Sequence, residues 1–114
     1  MGQPVIQFEI AGQNGSKLRE FYGFLFDWKI DKSDPAGMSN VRTGGRSGID
    51  GAIREEENGP VEITVYVQVS DLEATLVRVE KLGGKTIVPP TSSGDKRWAQ
   101  FEDPEGHVIG LVQG

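Results

Sequence analysis

The chain has no cysteine. That excludes disulfides, thiolate metal ligands and a thiol nucleophile, and it fits a reducing compartment. No apolar run approaches the length of a membrane span. The opening MGQPVIQFEI has no basic segment followed by an apolar one, so it does not read as a signal peptide. Position 6 is Ile6, where a myristoylation pattern needs Ser or Thr. Cations are in the minority, with 12 Lys and Arg against 17 Asp and Glu and a net charge of -5. They form no basic cluster, and phosphate binding needs one on a single face. These absences predict a cytoplasmic protein with neither a nucleic-acid nor a membrane partner. Histidine occurs once, at His107 in the closing stretch FEDPEGHVIGLVQG. Whether that corner belongs to a metal site is the first functional question.

What is present describes an ordinary globular chain. Its 114 residues suffice for one domain with a real core. Hydrophobic residues make up 36% and charged residues 25%. The 16 glycines and 6 prolines are spread along the chain, which predicts many turns within an ordered fold.

Periodicity then orders the elements. PVIQFEIAG alternates, with Ile6, Phe8 and Ile10 on one face and Val5, Gln7 and Glu9 on the other. SKLREFYGFLFDW places Leu18, Phe21, Tyr22, Leu25 and Phe26 at helical spacing, with Ser16 as a cap. WKIDKS, MSNVRT and IDGAI read as three short strands. The order then recurs. VEITVYVQV puts Val65, Val67 and Val69 on one face and Thr64, Tyr66 and Gln68 on the other. Asp71 caps a second helix with a stripe of Leu72, Leu76, Val79 and Leu82, which Gly83-Gly84 ends. KTIVPP, RWAQFE and HVIGLV supply three more strands.

The expected fold is α+β. Two βαβββ repeats, about 4–54 and 61–114, form one domain, a cupped mixed sheet with helices on its outer face. The stretch REEENGP joins the repeats and reads as a solvated linker at about 55–60.

A doubled βαβββ unit in so short a chain resembles the vicinal oxygen chelate superfamily. That group holds glyoxalase I, bleomycin-resistance proteins, extradiol dioxygenases and methylmalonyl-CoA epimerase. FYGFLFDWKI, VQVSDLEATLVRVEKLGGKTIVPP and FEDPEGHVIGLVQ are similar to its local motifs. The resemblance implies a cup whose inner face, in typical enzymes, carries four metal ligands, one on the first and last strand of each repeat. It also implies a homodimer, because small relatives pair. The four positions fall on Gln7, on the window Gly51 to Ile53, on Thr64 and on Gly110. Glutamine can serve as a ligand in some relatives. Threonine is a poor divalent ligand, and glycine has no side chain. A first-row metal needs three or more protein ligands, so neither a metal centre nor another cofactor is expected. His107 does not supply the lack. Asp103-Pro104-Glu105-Gly106 is a turn signature, and alternation puts His107 on the side away from Val108, Gly110 and Val112.

Other inward groups suit a small organic ligand. The pleat points Gln7, Glu9, Thr64, Tyr66, Gln68, Trp98 and Gln100 into the cup, and Gly110 leaves room. Tyr66 and Trp98 offer flat surfaces for a ring. Glu9 is the only inward acid on a central strand, and partial burial would suit it to act as a general base. The alternative is that Glu9 pairs with Lys or Arg or is solvated. TGGRSGIDG lacks the Lys-Ser/Thr ending of a phosphate loop, so Arg46 is read as an exposed loop residue. PPTSSGDK is a candidate lid. Three functions follow. One is a metal-free protein that binds a small molecule with undefined chemistry, and another is a resistance-type protein that sequesters its ligand. The third is a metal-dependent lyase or isomerase related to lactoylglutathione lyase. The sequence does not separate turnover from binding.

Overall fold

The computed structural model describes residues 2–114. Their contacts define two units, Gln7–Ile63 and residues 2–6 with Thr64–Gly114. The first half runs β1 (Val5–Gly12), α1 (Gly15–Phe26), β2 (Lys29–Ile30), β3 (Met38–Arg42) and β4 (Gly51–Glu55). Its strands lie in the order β2-β3-β4-β1. β1 and β4 run parallel, and the other neighbours run antiparallel. The second half runs β5 (Glu62–Val69), α2 (Leu72–Lys81), β6 (Lys85–Ser93), β7 (Lys96–Glu102) and β8 (Val108–Gln113). Its order, β6-β7-β8-β5, has the same pattern, with β5 parallel to β8. Both halves are therefore βαβββ units of one topology, as the alternating patterns predict.

Each helix covers one face of its own sheet. Ile10, Val41 and Ile53 form the buried core of the first half, with Leu18, Tyr22 and Trp28 packed against them. Val69, Leu72, Leu76, Ala99 and Leu111 form that of the second. The first helix departs from its expected stripe. Leu18 and Tyr22 pack inward, but Phe21, Leu25 and Phe26 are each more than half exposed. A helix presents only an arc of about 100° to a sheet, and these five apolar residues, spread over two and a half turns, fan out over a wider arc than that. Leu82 likewise points outward.

The helix ends show what local reading can and cannot find. Asp71 caps α2 by accepting from the Ala74 N–H at 3.0 Å. Gly83, at φ +99°, and the bond from Gly84 N–H to the Val79 carbonyl at 2.9 Å close its other end. α1 starts earlier than Ser16. Asn14 accepts from the Lys17 N–H at 3.1 Å, and Glu55 reaches across from β4 to accept from the Gly15 N–H at 2.7 Å. The second acceptor is 40 residues away in sequence, so no local motif announces it.

The stretch expected to be a lid is a paired hairpin. Thr91 faces Trp98, Ser92 faces Arg97 and Ser93 faces Lys96, with Gly94 in the turn at φ +65°. Two register shifts interrupt this pairing, one between Thr86 and Val88 and one between Val88 and Thr91; the second spans Pro89 and Pro90, which have no N–H to donate. The loop around Arg46 is closed at its base, where Asp50 accepts from the Thr43 N–H at 3.0 Å. Arg46 is exposed there. Among the described residues no helix is long and apolar enough to cross a membrane.

One core position carries a cost. Ser39 is fully buried on the helix side of β3, and its hydroxyl has no hydrogen-bond partner. An unsatisfied buried polar group costs about 1–3 kcal/mol. Ser39→Ala should therefore raise stability by about 1 kcal/mol in urea unfolding. A loss of stability would mean that the hydroxyl is satisfied in solution.

Candidate functional site

Strand alternation sets which groups lie opposite the helices. In the first half the parallel register pairs Glu9 with Ala52 and Ala11 with Arg54. Ile10 and Ile53 point into the core, so Glu9, Ala52 and Arg54 point to the helix-free face, and Gln7 follows by alternation. Glu9 is almost fully buried, with a side chain 7% exposed. Arg54 Nε lies 3.5 Å from Glu9 Oε1, and the same guanidinium is 3.8 Å from Glu56 and 3.9 Å from Glu62. One cation thus serves three carboxylates. Burial pushes the Glu9 carboxyl above its ordinary range. Arg54 pulls it back down, while Glu62 and Glu56 push it further up. The pairing alternative for Glu9 is the one the structure displays.

Arg54 was hidden in REEENGP. That stretch is not all solvated linker. Arg54 and Glu55 are the last residues of β4, one pairing with Glu9 and the other capping α1. The available signal was alternation continued one step, since Arg54 shares the face of Ala52.

In the second half β5 and β8 pair Tyr66 with Gly110, and β7 places Gln100 beside Gly110. The Gln100 amide donates to the Tyr66 hydroxyl at 3.0 Å. A methyl group on Gly110 would run into the carbons of the Tyr66 ring. The space over Gly110 is therefore filled by Tyr66, which is buried, rather than left open. Gln68 and Trp98 both pair with Val112, one step along the same face, and both are half-buried. Thr64 lies two residues before Tyr66 and is buried. The structure thus joins Tyr66, Gln100 and Gly110 in direct contact and sets Gln68 and Trp98 beside them.

His107 stands apart. Its side chain is 72% exposed, with Nδ1 3.0 Å from Asp103 Oδ2. Asp103 also accepts from the N–H groups of His107 and Glu105. Those bonds, led by the one from the His107 backbone, hold its carboxyl below the ordinary range. The turn signature is a turn, and His107 decorates it.

The pairing also fixes the second expected ligand position. Glu9 faces Ala52 as Tyr66 faces Gly110, so that position is Ala52. Two of the four positions then carry no donor atom and a third carries a hydroxyl. Among the described residues no three of His, Cys, Asp and Glu are grouped to hold an ion. The donor set does not fit a divalent metal.

A family profile described as a glyoxalase-like domain matches residues 7–112. No curated protein matches the chain. Solved structures share the fold. A hypothetical protein from Bacillus halodurans superposes with a TM-score of 0.75 at 14% identity, covering 100% of this chain and 96% of its own. A glyoxalase/bleomycin resistance protein/dioxygenase superfamily member from Vibrio splendidus gives 0.70 at 13%, covering 99% and 100%. Streptomyces coelicolor methylmalonyl-CoA epimerase, in complex with 2-nitronate-propionyl-CoA, gives 0.73 at 14%, covering 98% and 97%. At such identities these likenesses concern the fold alone.

Proposed function

Because the chain belongs to the glyoxalase-like domain family, we propose that it binds a small organic molecule through the helix-free faces of its sheets, without a first-row metal centre. The observation that carries this reading is the residue content of the ligand positions, where Ala52 and Gly110 offer no donor and Thr64 only a hydroxyl. Next to Gly110 stand groups suited to an organic ligand. Trp98 supplies a half-buried ring, and Gln68 and Gln100 supply amides that both donate and accept. In the first half, Gln7 offers a further amide and Glu9 is the group we assign to accept a proton. Its raised pKa favours that role, since an efficient base titrates close to working pH.

Sequestration without turnover is a second reading. It is favoured by the pairing of Glu9 with Arg54, which already occupies the carboxylate. We further propose a homodimer located in the cytoplasm, a location supported by the lack of cysteine.

A thermal-shift screen against metabolites, with hits followed for turnover, tests these readings together. Trp98→Ala should weaken binding of any hit by about tenfold or more, as loss of a stacked ring does, while His107→Ala leaves it unchanged. The reverse ranking would put the ligand elsewhere. Added Ni, Zn, Fe or Mn salts should leave the melting temperature unmoved, and one tightly bound equivalent would overturn the metal-free reading. Glu9→Gln should abolish any turnover and spare binding. If no variant changes turnover, Glu9 is only structural.

A further inference from the structure

A cleft lies on the helix side of the second half, away from Tyr66 and Gln100. One wall is the stripe of α2 that carries Arg78, Val79 and Leu82, and the other is Phe101 with the turn at Asp103 and Pro104. Phe101 packs with Ala99 under α2, whereas Gln100 between them reaches the Tyr66 hydroxyl on the opposite face. The cleft has a volume of about 430 Å³, within the range of about 300–1,000 Å³ that small-molecule sites occupy. We propose that it binds a small organic anion, an apolar body ended by a carboxylate, and that Arg78 receives the carboxylate. This site is separate from the helix-free face and does not depend on the function proposed for that face.

The walls supply the apolar part. Leu82 is 73% exposed, Val79 and Phe101 are half-buried, and Pro104 adds a rigid edge. The cleft is also preformed. A methyl on Gly84 would meet the Glu102 carbonyl and Val79 at 2.7 Å each, so the end of α2 is set directly against β7. The bond from the Gly84 N–H to the Val79 carbonyl fixes that end. Walls held in place before the ligand arrives spare it an ordering cost.

Charge decides the sign of the ligand. Three charged side chains line the cleft, Asp71, Arg78 and Asp103. Both carboxylates are already engaged. Asp71 accepts from the Ala74 N–H at 3.0 Å, at the positive end of α2. Asp103 accepts from the N–H groups of Glu105 and His107 at 2.9 and 3.0 Å, and its other oxygen lies 3.0 Å from His107 Nδ1. The Arg78 side chain, by contrast, has no hydrogen bond or ion pair among the described residues. Its guanidinium is a flat fork of donors that matches the two oxygens of a carboxylate. Ser70 and Gln3 add a hydroxyl and an amide to the lining, and both can donate. A ligand amine would find the acceptors occupied and its own charge set against Arg78.

NMR titration of the intact, isotope-labelled protein with 2-naphthoate, and separately with 2-naphthylmethylammonium, tests the proposal. The two probes share one apolar body and differ in the sign of the head group. Saturable shifts are expected at the amides of Ser70, Arg78 and Gly84, with naphthoate bound about tenfold or more tightly than the ammonium, the worth of a charge-assisted hydrogen bond. Arg78→Gln, at an exposed position, should keep the melting profile, weaken naphthoate by about tenfold and leave the ammonium no weaker. Leu82→Ser should weaken both probes by about threefold or more, through lost apolar contact. Trp98→Ala should change neither. Naphthoate shifts centred on Gly110 and the Trp98 indole would overturn the cleft in favour of the helix-free face. Equal affinity for the two probes, or naphthoate binding indifferent to Arg78→Gln, would overturn the role of Arg78. No saturation by about 10 mM, tenfold above the dissociation constant expected of so small a ligand, would overturn the site itself.

Discussion

Arg54→Met should destabilise the protein by about 3–5 kcal/mol, the usual cost of removing one partner from a buried ion pair. The size follows from the arrangement of charges. Glu9 is buried, and Arg54 is the cation that reaches it. Without the guanidinium, Glu9 faces Glu56 and Glu62 with nothing to offset their repulsion. The loss should depend on pH. The folded-state pKa of Glu9 already lies above its ordinary value of 4.5. Between the two values the folded protein holds a proton that the unfolded chain has released, so wild-type stability falls as pH rises through that window. Above the raised pKa this contribution levels off. Arg54→Met should widen the window and deepen the fall, and Glu9→Gln should remove it. Urea unfolding from pH 4 to pH 8 reads all three. An Arg54→Met variant within 1 kcal/mol of wild type across that range would show that Glu9 is solvated in solution.

Gly110→Ala should cost about 1–3 kcal/mol or more, because the added methyl overlaps a ring rather than the end of a flexible chain. The ring belongs to Tyr66, whose hydroxyl is bonded to Gln100, so it moves only by breaking that bond. Tyr66→Ala in the same chain should recover part of the Gly110→Ala loss, giving a coupling of about 1 kcal/mol or more in a double-mutant cycle. Additive losses would mean that the ring does not lie on the glycine. The pair also bears on function. If the Tyr66–Gln100 contact shapes the binding face, Gly110→Ala should weaken ligand binding even at temperatures where the variant is fully folded.

Much of this was legible in the residues, and the misses have physical causes. Alternation in VEITVYVQV separates Val67 and Val69, which pack under α2, from Tyr66 and Gln68 on the other face. Asp71 and Gly83 announce the ends of α2 because caps are local chemistry. The doubled order of elements identified the family, which the match over residues 7–112 shows. Arg54 was missed because a run of charges reads as solvated when nothing local says otherwise, and its partner Glu9 lies on a strand 45 positions earlier. Glu55 as a cap was missed for the same reason. The surplus of apolar residues on α1 was visible, but only the sheet geometry shows which of them it has room to cover.

The outermost strands of the two half-sheets carry a consequence for how this chain avoids its own copies. An unpaired strand edge invites another chain to add to it. β2, at one edge, is only two residues long, too short to template a neighbour. β6, at the other, contains Pro89 and Pro90 and two breaks in register. Its free side therefore presents an interrupted row of donors. Both edges are poor seeds for open-ended strand stacking.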